Sequence, residues 1–215
     1  MTRLLCGLLL AAAIFAQTPI SVPQADAALA KGRKNGLFAL ITTSMGAITI
    51  QLLEKDAPLT VANFVGLAMG TKPWRDPATK AVKQTPLYNG TIFHRVIPQF
   101  MIQGGDPSGT GAGSIGFTVP DEWTRSGLMF NVAGRVAMAN AGPNSSDSQF
   151  FITTDPASSL DNNYTIFGQV VDGMNIVQKI ASVPRDANDR PRTPVTLQTV
   201  QVFRVGPEPQ VKGKK

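Results

Sequence analysis

The chain offers very little cysteine or histidine, with one residue of each among its 215. The single cysteine, Cys6, excludes an intramolecular disulfide, and the single histidine, His94, excludes a metal site built from several histidines. A Ser-His-Asp hydrolase would have to use His94, which lies in an apolar stretch that is typical of a core strand. We therefore expect no cysteine catalysis, no metal and no cofactor, and we regard a triad hydrolase as a weak alternative.

The chain also has no net charge between its two basic ends. The formal charge is +6, but residues 35–211 carry 13 of the 20 Lys/Arg residues and 13 of the 14 Asp/Glu residues, so this region is neutral. The excess positive charge comes from residues 31–34 and 212–215. Because nucleic-acid-binding proteins usually carry a basic stripe on the folded surface, we expect no nucleic-acid partner.

No apolar run is long enough to be a typical membrane span. The run "LLCGLLLAAAIFA" (4–16) follows Arg3, and it is shorter than a typical bilayer span, which takes about 20 residues. With small-residue motifs at 25–27 and 28–30, it is typical of a cleaved export signal, although a cut near Ala16 or an uncleaved anchor are alternatives. The predicted segments are a signal and cleavage region (1–30), a basic linker (31–36), a folded domain (37–205) and a basic flexible tail (206–215). We therefore expect a periplasmic or secreted protein without a stable membrane anchor.

Two segments near the start of the folded region have clear local signals. Residues 37–53 form two apolar, β-rich runs broken at 44–46, which predicts a hairpin. Residues 57–70 change to helical spacing, with Pro58 suited to a first turn and Gly70 suited to the position after the helix.

The remaining periodicity predicts short strands and one more helix. The helix is expected at 172–183, with Asp172 as its cap. The expected strands lie around 91–97, 99–104, 134–139, 149–153, 166–171 and 194–205. Many short strands with only two helices indicate a mainly β protein, an antiparallel barrel whose ends are covered by helices.

Two further stretches carry polar residues within apolar surroundings, "FHRVIPQFMIQGGD" (93–106) and "GRVAMANAGPNSSDSQFFIT" (134–153). In the first, strand periodicity places Met101 and Gln103 on one face, and in the second it does the same for Gln149 and Phe151. Amides beside apolar and aromatic side chains suit a groove that binds a peptide backbone and holds one apolar ring. A core that contains stray polar residues is the alternative interpretation of the pattern.

These two stretches resemble the signatures of the cyclophilins, a family of β-barrel peptidyl-prolyl cis-trans isomerases. The resemblance extends over about residues 37–205 and includes "APLTVANF" (57–64), "YNGTIFHRV" (88–96) and "LDNNYTIFGQVVDGM" (160–174). It implies a closed antiparallel eight-stranded barrel capped by two α-helices, with Arg95 as the catalytic cation. The side chains implied to contact the substrate are Phe100, Met101, Phe151 and Leu160 in the proline pocket, Gln103, Asn140 and Gln149 on the peptide backbone, and Ala139 and Ala141 in the groove wall.

Two positions depart from many eukaryotic members of the family. Ser159 stands where those members have a tryptophan used in cyclosporin binding, so only weak cyclosporin binding is expected. Tyr164, which is expected at the substrate groove, stands where those members have a histidine. Both Tyr164 and the insertion at 71–86 resemble the bacterial branch of the family. The resemblance implies an enzyme that acts on proline-containing peptides and on unfolded or folding proteins, and a non-catalytic proline-peptide module or chaperone is the alternative function. The location follows from the leader, with the eukaryotic secretory pathway as the alternative to bacterial export. We expect a monomer.

Overall fold

The computed structural model describes residues 21–209, apart from the side chain of Arg125. These residues contain ten strands: β1 (Gly36–Thr43), β2 (Gly46–Leu52), β3 (Trp74–Arg75), β4 (Val82–Lys83), β5 (Arg95–Ile97), β6 (Met101–Gly104), β7 (Arg135–Met138), β8 (Phe150–Thr153), β9 (Ile166–Asp172) and β10 (Leu197–Val205). The helices are α1 (Ala27–Ala30), α2 (Pro58–Met69), α3 (Trp123–Ser126) and α4 (Met174–Ala181), with a 3-10 turn at Ser158–Leu160. Eight strands form one antiparallel sheet in the order β10-β1-β2-β9-β7-β8-β6-β5, and β3 pairs with β4.

The large sheet is curled into a half-barrel, so the predicted closed eight-stranded barrel is wrong in this respect. Its edge strands, β5 and β10, are not paired with each other in the described chain; one isolated bridge, Ile92–Thr196, joins the segments that precede them. The two edge strands do not pair because β5 is short: it contains only three residues, whereas a strand was predicted around 91–97. The N–H of Val96 donates to the carbonyl oxygen of Asp189 (2.8 Å), so a loop before β10 takes the place of a strand partner.

Alternation along the strands separates two hydrophobic clusters, one on each face of the sheet. Ile102 and Phe150 belong to the main core, whereas their chain neighbours Met101 and Phe151 belong to a smaller second cluster. This is the period of two that a strand with both faces covered produces. Side chains on the second face can therefore build a site without interrupting the main core.

Helix α2 packs against the main core and has the predicted bounds. Pro58 occupies its first turn, and Gly70 ends it in the left-handed conformation (φ 71°). A Cβ atom on Gly70 would lie 2.6 Å from the nitrogen of Pro86, so both the backbone angle and the close approach require glycine there. The N-terminus of the helix is satisfied by the Glu122 carboxylate, which accepts from the N–H groups of Leu59 (3.1 Å) and Thr60 (2.8 Å).

Helix α4 confirms the second predicted helix but not its cap. The helix begins at Met174 after Gly173, which is left-handed (φ 84°), while Asp172 is the last residue of β9. A Cβ atom on Gly173 would lie 2.3 Å from the carbonyl oxygen of Ala47. The chain thus turns from strand to helix through a glycine that packs on the β1–β2 hairpin, and no side-chain cap is used.

The N-terminal segment from residue 21 onward packs on the sheet. Val22 is buried in the main core, and the N–H of Ala25 donates to the Arg204 carbonyl oxygen (2.7 Å). Leu29 contacts the cluster formed by the stacked rings of Phe38 and Phe203. Among residues 21–209, no helix has the length and apolar character needed to cross a membrane.

The insertion at 71–86 contains the short β3–β4 ribbon. The Trp74 ring is buried, and its indole N–H donates to the Thr85 carbonyl oxygen (2.9 Å). Asp76 forms an ion pair with Lys83, which holds the pKa of the Asp76 carboxyl well below its usual value. The polar, proline-rich composition of 71–86 is typical of an exposed loop, and most of these residues are exposed, but the segment also contains a small ribbon anchored by one buried indole ring.

Candidate active site

Three predicted site residues lie in one row across neighbouring strands. Arg95 on β5 pairs in register with Gln103 on β6, and Gln103 pairs with Phe151 on β8. Cross-strand neighbours have Cβ atoms about 4.5–5.5 Å apart and project from the same face. A cation, an amide and an aromatic ring therefore stand side by side on the sheet face that carries the second cluster.

Arg95 is not buried, although its neighbours in the sequence are apolar. Its side chain is 45% exposed, and its Nε atom lies 3.7 Å from Asp189 Oδ2. Asp189 has a left-handed backbone (φ 61°) and also accepts a hydrogen bond from Arg185 Nε (3.0 Å). Within residues 21–209, the terminal amino groups of Arg95 make no hydrogen bond to the protein, so they are free to donate to a ligand.

Sequence reasoning missed Asp189. The stretch "PRDANDR" (184–190) has the composition of a polar turn, and nothing local indicates that it contacts a strand far earlier in the chain. Only the folded chain shows that Asp189 contacts β5 twice, through its carbonyl oxygen at the N–H of Val96 and through its carboxylate beside Arg95.

Two of the three predicted amides are hydrogen-bonded to each other. Gln103 Nε2 donates to Gln149 Oε1 (3.1 Å), and Gln149 Nε2 donates to the carbonyl oxygen of Gly111 (3.1 Å). Asn140 is separate from them, with its Nδ2 donating to the Asn163 carbonyl oxygen (2.8 Å). Gly111 belongs to the glycine-rich loop at 105–116, which also lines a cleft of about 340 Å³ together with residues 77–80.

The predicted apolar residues gather around Phe151. Phe130 stacks on Phe151 with ring centroids 5.8 Å apart, and Tyr164 meets it edge to face at 5.3 Å. Phe130 was not singled out from the sequence, although its run "GLMF" (127–130) is apolar. The cluster contains these predicted residues: Phe100, Met101, Ala139, Phe151, Leu160 and Tyr164. Ala141 is exposed at the rim, and its N–H donates to Ser145 Oγ (2.8 Å).

The partly buried carboxylate of Asp147 accepts a hydrogen bond from the backbone of Gln149. Asp147 Oδ1 accepts from the N–H of Gln149 (3.3 Å), and the Asp147 carbonyl oxygen accepts from Asn63 Nδ2 (2.7 Å) on α2. Burial raises the pKa of the Asp147 carboxyl above its usual value, and the hydrogen bonds from Ser148 and Gln149 oppose this shift.

His94 is buried, as the sequence predicted, with 6% of its surface exposed. Its Nδ1 atom has no hydrogen-bond partner within the part of the chain that the structure describes, and burial lowers its pKa. Among residues 21–209, no cluster of three or more His, Cys, Asp or Glu side chains could hold a metal ion.

The described residues form an antiparallel half-barrel that presents an exposed guanidinium, two hydrogen-bonded amides and an apolar cluster. Residues 38–202 match the family model described as "Cyclophilin type peptidyl-prolyl cis-trans isomerase/CLD". The chain belongs to the cyclophilin-type peptidyl-prolyl cis-trans isomerases, and its activity is isomerisation of peptide bonds to proline.

Named relatives and solved structures agree with this family. Peptidyl-prolyl cis-trans isomerase A of Mycobacterium tuberculosis is 45% identical over 166 residues, which is 76% of this chain and 91% of that protein. Peptidyl-prolyl cis-trans isomerase B of Streptomyces anulatus is 45% identical over 169 residues, covering 77% and 96%. A cyclophilin-type isomerase of Cryptosporidium parvum, solved in the presence of the dipeptide Ala-Pro, is 31% identical with a TM-score of 0.67, covering 77% of this chain and 98% of that one.

Proposed function

We propose that Arg95 is the catalytic residue of this isomerase and that it stabilises the twisted peptide bond before proline. The observation that carries the proposal is the Arg95–Gln103–Phe151 row, because it brings a fixed donor, a backbone-binding amide and an apolar ring to one face. Rotation about a peptide bond is opposed by a barrier of about 18–20 kcal/mol, since the nitrogen lone pair is delocalised into the carbonyl.

The exposed guanidinium suits this reaction. In the twisted state the prolyl nitrogen regains a localised lone pair, which accepts a hydrogen bond that the planar amide cannot accept. An interaction made only with the transition state accelerates the reaction. Arginine remains protonated and offers directional N–H groups, and the terminal amino groups of Arg95 are not engaged by the described protein.

The second cluster is proposed to hold the proline ring. Met101 and Phe151 are almost fully buried in it, while Phe100 and Leu160 are partly exposed at its surface. Gln103, Gln149 and Asn140 are proposed to hold the backbone on either side of the proline, so that the carbonyl side rotates against a fixed ring.

This assignment is tested by a matched pair of substitutions, Phe151→Leu and Phe38→Leu. Both phenylalanines are buried and stacked on another ring, Phe151 on Phe130 and Phe38 on Phe203, but only Phe151 lies in the proposed pocket. In an isomerase assay on a blocked Ala-Pro tetrapeptide, Phe151→Leu should raise KM, whereas Phe38→Leu should leave KM unchanged. Equal effects of the two substitutions on KM would contradict the pocket assignment.

The proposed setting is outside the cytoplasm of a bacterium, where the enzyme would assist the folding of exported proteins. The support is the composition of residues 1–16, together with the packing of the segment that follows them. Val22 and Ala25 contact the sheet, so a cut near Ala16 would leave these contacts intact, whereas a cut at 28–30 would remove them. Mass spectrometry of the N-terminus in the extracellular or periplasmic fraction should find a chain that begins before Val22; an intact Met1 confined to the cytoplasm would contradict the proposal.

We also propose a monomer that binds proline-containing segments of unfolded chains and binds cyclosporin weakly. Ser159 is exposed on the 3-10 turn next to Leu160, where it offers a hydroxyl in place of an indole ring. Titration of cyclosporin against isomerase activity should give weak inhibition in the parent and stronger inhibition in Ser159→Trp.

A further inference from the structure

A large groove on the α2 side of the molecule has no role in the site described above. It has a volume of about 1,020 Å³ and lies between α2, residues 71–73, residues 118–120 and the N-terminal residues 21 and 22. Apolar side chains make up much of its lining, and one of them, Leu59, is 44% exposed. The volume is at the upper end of small-molecule pockets, which favours a peptide segment as its occupant.

The groove contains two cations that differ in their partners. Arg204 is bound by both oxygens of Glu54, at 2.9 and 2.8 Å. Lys72 Nζ instead contacts the amide oxygen of Asn63 (2.7 Å) and lies 4.0 Å from the centre of the Phe117 ring. Within residues 21–209, no carboxylate lies within ion-pair distance of Lys72.

Lys72 is therefore a half-buried ammonium with no counter-ion among residues 21–209. Burial lowers its pKa, which means that the charged form is less stable there than in water. A carboxylate placed beside Nζ would offset that cost, because a nearby opposite charge favours the charged form of a lysine. The groove therefore has apolar walls that suit apolar side chains and one cation that is complementary to an acid.

We propose that this groove is a second peptide-binding site, which takes an extended apolar segment of another chain that carries an Asp or Glu side chain paired with Lys72. The acid is expected to come from another molecule, because residues 1–20 and 210–215 contain no Asp or Glu. None of the residues that line the groove belongs to the Arg95 site, and the segment needs no proline. The proposal is thus independent of the assignment of Arg95.

The test measures binding of a proline-free probe to the full chain. The probe is fluorescently labelled Ala-Leu-Glu-Val-Ala with a C-terminal amide, and its control has Gln in place of Glu. The Glu probe should bind about tenfold more tightly than the Gln probe, since a charge-assisted contact is the stronger one. Lys72→Met should abolish this difference and Lys72→Arg should retain it, while Lys179→Met, which changes an exposed lysine on α4, should have no effect.

Further measurements identify the occupant and separate the two sites. Leu59→Ser, at an exposed position of the groove, should weaken both probes equally. Carbodiimide should link Lys72 to the Glu of the probe. In the free protein, a link from Lys72 to a second copy of the chain, or to the chain's own C-terminus, would overturn the proposal.

The Arg95→Ala variant should bind the Glu probe normally even when isomerisation is lost. Equal affinity for the two probes, or no binding of either, would also overturn the proposal.

Discussion

Replacing Arg95 separates catalysis from stability. The structure gives Arg95 one ion contact, 3.7 Å from Asp189, and leaves its side chain 45% exposed. An exposed contact of this kind contributes about 0–1 kcal/mol to the free energy of unfolding. Arg95→Ala should therefore lower the melting temperature by at most about 2–4 °C.

The effect on catalysis should be much larger. A preorganised donor to a charge or lone pair that develops in the transition state contributes about 2–4 kcal/mol. Since each 1.36 kcal/mol changes a rate tenfold, Arg95→Ala should reduce kcat/KM by about 30- to 1,000-fold. Arg95→Lys should fall between the parent and Arg95→Ala, because lysine keeps the charge but lacks the planar set of donors.

The assay follows the cis-to-trans conversion of a blocked Ala-Pro tetrapeptide, with thermal unfolding measured on the same samples. Asp189→Asn provides a positioning control, since it keeps the backbone contact to Val96 but removes the charge beside Arg95. It should lower kcat by about three- to tenfold while KM stays constant. Activity of Arg95→Ala within threefold of the parent, in a protein with an unchanged melting temperature, would refute the catalytic role of Arg95.

Two further predictions concern the scaffold around the site. Glu122→Gln removes a carboxylate that accepts from two N–H groups at the start of α2, so urea unfolding should show a loss of about 1–2 kcal/mol; an unchanged midpoint would contradict this capping role. Because burial lowers the pKa of His94 in the folded state, the protein should lose stability as the pH falls below the unfolded value of about 6.5, and the loss should level off below the folded pKa. His94→Gln should lack this loss between about pH 8 and pH 5.5, and an identical pH dependence in parent and variant would exclude His94 as its source.

Local signals predicted the elements that are determined locally. The β1–β2 hairpin and α2 were predicted with nearly correct bounds, because Pro58 and Gly70 act on the backbone at their own positions. The cap of α4 was predicted wrongly, since the requirement for Gly173 comes from its contact with Ala47 on a distant hairpin. The period of two predicted that Met101 shares a face with Gln103, and Gln149 with Phe151, but it did not predict a second hydrophobic cluster on that face.

What the sequence could not predict depends on contacts between distant segments. The loop carbonyl that occupies the free edge of β5, and the carboxylate that holds Arg95, both come from Asp189. Such pairings have no local signature. The closed barrel was expected from the family resemblance, and the described chain forms a half-barrel instead. Phe130 was missed for the same reason, because its stacking on Phe151 joins two segments that no local pattern connects.

The two hydrophobic clusters on opposite faces of the sheet have a consequence for how this enzyme can change over evolution. Met101 and Phe151 belong to the second cluster, on the outer face of the sheet, whereas their chain neighbours Ile102 and Phe150 belong to the main core. Substitutions that reshape the proposed proline pocket should therefore leave most of the core packing in place, so peptides with different residues beside the proline can be accommodated at a small loss of stability. A library randomised at outer positions should yield many folded variants, whereas one randomised at the adjacent inner positions should yield few.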